Sequence, residues 1–254
     1  MKKIRLKRII PVAILLCLVV VGCLWYVNDY YHSDESVHQY LQSDSTVRIE
    51  QIGDGLYLDG PGTEAALIFY PGAKVEYTAY APLLHQLAEK GTDVFLIRMP
   101  CNLAFLGKDR ADSILETYEY QRWYLGGHSL GGAMAAVYAA GHTEDLEGLV
   151  LLAAYPTESL QADNFSVLSI YGSEDGVLNQ SKVEEGRDYM PEDYTEICIE
   201  GGNHAQFGNY GIQKGDGEAS LSREEQQDQT VEAIYHMIVK QADGRESEND
   251  PRKQ

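Results

Sequence analysis

The first group in this chain with the chemistry to attack an electrophile is a serine set between glycines, Gly127-His128-Ser129-Leu130-Gly131. A strand-like apolar stretch over 122–125 precedes it, and the alanine-rich run 130–140 follows as a predicted helix. A nucleophilic serine on such a strand-to-helix elbow takes a strained backbone, so the residues two before and two after must be tiny. Gly127 and Gly131 meet that need. The helix that leaves the elbow turns its N-terminus toward developing negative charge.

A serine hydroxyl needs a base to take its proton, and the base needs an acid to orient it. One recurring chain order is Ser, then Asp or Glu, then His. Asp175 stands in Gly172-Ser173-Glu174-Asp175-Gly176, after a predicted strand, with Glu174 as its rival. His204 ends Gly201-Gly202-Asn203-His204, after the last predicted strand. Of the other histidines, His32 and His38 precede the strands, and His85, His142 and His236 lie on or beside helices. His128 adjoins the serine and is expected to point away along the elbow. The expected triad is Ser129, Asp175 and His204.

The oxyanion formed by attack needs two backbone N–H donors. Leu130, next to the nucleophile, supplies one, and Ala73 in Tyr70-Pro71-Gly72-Ala73-Lys74 is expected to supply the other. Gly72 lets that backbone approach a substrate closely. Gly72, Lys74 and Asn203 are the expected substrate-binding residues, with the Lys74 ammonium suited to an acidic group. No C-x-x-C or Cys/His cluster is present, so neither a metal site nor a cofactor is expected.

The elements that position these groups can be read from periodicity. Residues 46–58 alternate around Gly53-Asp54-Gly55 and predict a β-hairpin. Strands over 65–70, 93–98, 122–125, 149–152, 167–171 and 194–199 then alternate with helices over 82–90, 110–118 and 130–140. A final helix opens at Ser222-Arg223-Glu224-Glu225, a capping-box pattern, and buries Val231, Ile234, Met237 and Ile238. The expected class is α/β: a mostly parallel, doubly wound sheet with a leading antiparallel hairpin. Active sites of such sheets lie at the carboxyl ends of the strands, where each candidate residue falls.

Lys2, Lys3, Arg5, Lys7 and Arg8 carry +5 with no acid before residue 28, so the formal net charge of −19 becomes −24 for the remainder. Such a surface disfavours a nucleic-acid partner. Residues 9–27 form an apolar run behind that basic cluster, long enough to span a bilayer, with Trp25 and Tyr26 suited to its outer interface. The expected organisation is a signal anchor over 1–27, a polar tether over 28–45, the catalytic domain over 46–242 and a disordered polar tail over 243–254. The positive-inside rule places that domain outside the cytoplasm, on a single-pass membrane protein. The alternatives are a lipoprotein anchored at Cys23, after Val20-Val21-Gly22, and a cleaved signal peptide. The oligomeric state is left open.

Phe69-Tyr70-Pro71-Gly72, the elbow from Gly126 to Gly132, Tyr171-Gly172-Ser173-Glu174-Asp175-Gly176 and the segment from Gly201 to Gly208 resemble signatures of the α/β-hydrolase superfamily. The likeness is to a compact bacterial branch, often membrane-anchored. It implies a serine hydrolase acting on a small-molecule acyl substrate, with Ser129, Asp175 and His204 as triad. It carries no particular substrate, because this fold hosts many chemistries. Only about a dozen residues separate the strand ending at Leu152 from the next, so no large cap domain is expected. An ester is the expected substrate, with acyl transfer to a cell-envelope hydroxyl and a non-catalytic binding module as alternatives. In this fold the strands leading to Cys101 and carrying Cys198 lie apart, so no disulfide between them is expected.

Overall fold

The computed structural model describes residues 2–248, with side chains over 10–241. The chain forms one eight-stranded sheet in the order β1-β2-β4-β3-β5-β6-β7-β8. The hairpin pairs β1 (Arg48–Ile52) with β2 (Gly55–Asp59) across Gly53 and Asp54, and β2 runs antiparallel to β4 (Asp93–Ile97). The remaining pairings, through β3 (Ala65–Tyr70), β5 (Arg122–His128), β6 (Gly148–Leu152), β7 (Ser166–Gly172) and β8 (Asp193–Ile199), are parallel.

Strand residues alternate between two cores because successive side chains leave opposite faces. Along β3, Leu67 and Phe69 join one core, whereas Ala66, Ile68 and Tyr70 join the other. The first core is covered by α2 (Ala81–Glu89) and α6 (Arg223–Glu248), through Leu83, Leu84, Leu87, Val231, Ile234 and Ile238. The second is covered by α3 (Ala111–Thr117) and α4 (Leu130–Ala140), through Ile114, Ala135, Ala136 and Ala139. Helices on both faces make the sheet doubly wound. The Ser222–Glu225 capping box forms in both directions: Ser222 N–H donates to Glu225 Oε2 at 2.9 Å and Glu225 N–H to Ser222 Oγ at 3.2 Å. Residues 153–165 join β6 to β7 with no helix or strand, which leaves no room for a large cap.

Two expectations need correction, and one element is new. Residues 28–45 are no free tether. Tyr31 pairs with Val75, and a 3-10 helix over Glu35–Leu41 buries Val37 to 1% exposure. Asp34 N–H donates to Asn209 O, and Arg223 bonds the Asp34 carboxylate. The polar composition hid Tyr31, Tyr40 and Leu41, which find the first core only in three dimensions. The predicted disordered tail is helical as far as Glu248; its last six residues lie outside those described. A short helix, α5 (Gln180–Gly186), was not foreseen, because its seven residues carry too little apolar periodicity.

The N-terminal helix α1 (Lys2–Asn28) includes Ile10–Asn28, 19 residues long and apolar enough to cross a bilayer. Among the described residues Cys17, Cys23, Cys101 and Cys198 are free, and four strands separate β4 from β8.

Candidate active site

Ser129 sits between β5 and α4 with φ 53° and ψ −123°, a backbone state that costs a non-glycine residue about 1–3 kcal/mol. Close packing holds it there. A methyl group on Gly131 would lie 2.3 Å from the carbonyl oxygens of Tyr70 and Pro71, and one on Gly127 would lie 2.6 Å from the Gly131 carbonyl carbon. Ser129 N–H donates to Leu152 O at 2.9 Å, which ties the elbow to β6.

Asp175 follows β7 and has a fully buried side chain. Its Oδ1 accepts the N–H groups of Val177 and Leu178 at 2.9 and 2.7 Å, leaving Oδ2 for His204 Nδ1 at 2.8 Å. A carboxylate can only accept, so Nδ1 carries the proton and Nε2 presents its lone pair. That Nε2 is buried and has no hydrogen-bond partner among the described residues. Glu174, by contrast, is exposed and accepts from Ser173 Oγ.

His128 departs from expectation. Its ring lies 4.5 Å, centroid to centroid, from that of His204, so it packs against the imidazole rather than away from it. Tyr80 Oη accepts Gly72 N–H at 3.0 Å and shares a hydrogen bond of 2.8 Å with His128 Nδ1. Burial, reinforced by the neighbouring His204, holds the His128 pKa well below 6.5. The unfolded chain therefore takes up a proton at this position below pH 6.5 while the folded chain does not. The stability contributed here is complete above pH 6.5 and lost as pH falls, by up to about 1.4 kcal/mol per pH unit. Denaturant unfolding between pH 7.5 and 5.5 should show this slope, and His128→Gln should flatten it.

Asp216 escaped the sequence reading because it lies in an irregular segment far along the chain. Its carboxylate accepts Gly176 N–H at 3.2 Å on the acid loop and the His204 and Ala205 N–H groups at 3.1 and 2.8 Å. One side chain thus fixes both loops. Asp216→Ala is expected to lower kcat about 10- to 100-fold with KM changed less than about threefold, because small misplacements of reacting groups are that costly. Steady-state kinetics check this, and Asp216→Asn, which keeps one acceptor, should recover part of the loss.

The remaining candidates divide. The Leu130 N–H opens α4 and has no intrahelical acceptor. In the loop after β3, Gly72 N–H goes to Tyr80 and Lys74 N–H to Asn102 O, while Ala73 N–H has no acceptor among the described residues. Lys74 Nζ pairs with Asp29 at 2.7 Å and lies 4.7 Å over the Tyr26 ring. The Asn203 amide donates to Gly217 O and accepts Gln206 N–H, so it braces its own loop. Gly72 is required by packing, since a methyl group there would lie 2.8 Å from both His128 Nδ1 and Tyr80 Oη.

Away from the elbow, Asp44, His85 and Glu89 come together on the first-core side. Asp44 approaches His85 Nε2 at 3.0 Å and Glu89 approaches Nδ1 at 3.7 Å, so the carboxylates bracket opposite edges of one ring. Neither approach has hydrogen-bond alignment.

The Alpha/beta hydrolase family matches residues 66–228. A comparison with curated protein sequences finds no match. Among solved structures, TT1662 from Thermus thermophilus is 15% identical with a TM-score of 0.55, over 75% of this chain and 97% of that one. Alpha/beta hydrolase domain-containing protein 10 from mouse is 14% identical with a TM-score of 0.55, over 77% and 99%. Est1E from Butyrivibrio proteoclasticus is 14% identical with a TM-score of 0.53, over 78% and 99%. At these identities the likeness is one of fold. The family match takes in β3 through the start of α6, and hence the elbow and both loops that meet it; the chain belongs to the alpha/beta hydrolase family.

Proposed function

We propose that the chain is a serine hydrolase that cleaves a carboxylic ester through an acyl-enzyme on Ser129, tethered by α1 with its catalytic domain outside the cytoplasm. The observation that carries this reading is the buried Asp175–His204 pair with its free Nε2, packed against the residue that precedes the strained Ser129.

In the proposed sequence Ser129 Oγ attacks the ester carbonyl carbon while His204 Nε2 takes the hydroxyl proton. Negative charge develops on the carbonyl oxygen, where the N–H groups of Leu130 and Ala73 stabilise it. The carbon–oxygen bond to the alkoxide breaks, and His204 returns its proton to that leaving group. Water then repeats the steps on the acyl-enzyme and releases the acid. Asp175 holds the imidazole in the productive tautomer throughout. The tether rests on the length of α1 and on the basic residues before it.

Turnover of p-nitrophenyl acetate and butyrate by the full chain tests the chemistry. The wild type is expected to hydrolyse at least one, with His204→Ala slower by about 10⁴-fold or more. Equal rates in wild type and variant would overturn the assignment.

A further inference from the structure

The elbow, the anchor helix and one loop of unusual composition lie closer together than a flexible tether would place them. An 18-residue tether could let the domain stand up to about 60 Å from the bilayer. The structure instead ties the chain down within three residues of the helix end. Asp29 pairs with Lys74, Tyr31 N–H donates to Lys74 O at 2.7 Å, and Glu76 N–H donates to Tyr31 O at 2.9 Å. Lys74 adjoins Ala73, and Gly72 packs on His128, next to Ser129. The helix therefore leaves the domain beside the loop expected to hold the oxyanion.

The helix itself projects from the domain. Its described residues up to Tyr26 are exposed, and its end meets the domain at Pro100–Asn102, in the loop after β4. Lys74 N–H donates to Asn102 O at 2.8 Å, so the β3 and β4 loops form one continuous surface around the helix exit. A bilayer spanned by α1 lies over that surface, with Trp25 and Tyr26 at its interface.

The loop over 98–110 has the composition such a position demands. Phe105 and Leu106 are 52% and 51% exposed, an apolar pair the core does not use. The same segment carries Arg98, Lys108 and Arg110 and one acid, Asp109, in a remainder of −24. Lys108 pairs with Asp109 and Arg110 with Asp54, while the exposed Arg98 side chain has no partner among the described residues. Arg98 and Arg110 line a recess of about 360 Å³ with Val27 and Tyr30 from the end of the anchor. An exposed apolar pair in a segment that also offers an unpaired guanidinium fits a lipid surface, with apolar atoms at the acyl boundary and Arg98 among headgroup phosphates.

We infer that the 98–110 loop seats the mouth of the active site on the bilayer, and that the substrate is an acyl ester of a membrane-resident amphiphile. This rests on the ester-hydrolase and membrane-anchor readings above. The ester linkage of such an amphiphile lies at the interface, at the level of Trp25 and Tyr26, where the seated loop holds the elbow. No lid is required, because the anchor does the work of bringing site and interface together.

The full chain in nanodiscs of phosphatidylcholine and phosphatidylglycerol provides the test. Turnover of 4-methylumbelliferyl oleate, held in the bilayer, is compared with that of soluble p-nitrophenyl butyrate. Phe105→Ser/Leu106→Ser is expected to lower oleate turnover about tenfold while butyrate turnover stays within about twofold. A ratio of the two rates unchanged by the double variant would overturn the inference. Phe105→Trp supplies a readout independent of chemistry: its added fluorescence, over that of the parent, is expected to be quenched by brominated lipid. Absence of that quenching would also overturn the seating. Failure of the wild type on both esters with quenching intact would count against the hydrolase reading and the ester substrate, and leave the seating standing.

Discussion

Ser129→Ala is expected to lower kcat by about 10⁴- to 10⁶-fold and to leave KM and the melting temperature nearly unchanged. Only the oxygen proposed to attack is removed. The elbow is held by Gly127 and Gly131 against the backbone of β3 and by Ser129 N–H to Leu152 O, none of which involves the hydroxyl. Ground-state binding should persist, since the Leu130 and Ala73 N–H groups remain in place. Stopped assays at high enzyme concentration can resolve the residual rate. A variant that kept more than about a tenth of the wild-type rate would remove Ser129 from the chemistry.

Asp175→Asn is expected to lower kcat by about 10⁴-fold without disturbing the fold. The two N–H groups of Val177 and Leu178 hold Oδ1, so an asparagine can keep its carbonyl oxygen there and present its amide to His204. That amide donates, so His204 Nδ1 must then accept and Nε2 carries the proton. A base with its proton on the wrong nitrogen cannot take one from Ser129. Glu174→Gln serves as the control, because Glu174 is exposed and turned to Ser173; its rate should stay within about twofold. The pH profiles of kcat/KM for both variants would separate the two acids directly.

The parts of this site that were legible in the sequence are those encoded locally. Gly127 and Gly131 mark the elbow because two residues of spacing on either side of Ser129 decide its sterics. The pairing of Asp175 with His204 could be anticipated because parallel strands bring their carboxyl ends to one edge of the sheet, whatever their separation along the chain. What stayed hidden depends on tertiary approach. Asp216 reads as one acid among many until the 211–221 segment folds back and gives its carboxylate the N–H groups of two loops. Tyr80 reads as a core aromatic, and only the packing of Gly72 on His128 reveals its hydroxyl between them.

Lys74 and the 28–45 segment have tertiary partners that share one origin. Composition describes a lysine beside a glycine and a polar stretch after a membrane helix, and the natural readings are a substrate cation and a tether. The pairing of Tyr31 with Val75 and of Asp29 with Lys74 joins them into a clamp, which no local pattern announces.

The most direct test of the central claim is reaction of the full chain with a fluorophosphonate, followed by mass mapping of the modified peptide. One adduct is expected, on Ser129, absent from Ser129→Ala and greatly slowed in His204→Ala. An unlabelled wild type, or an adduct on any other residue, would contradict that claim.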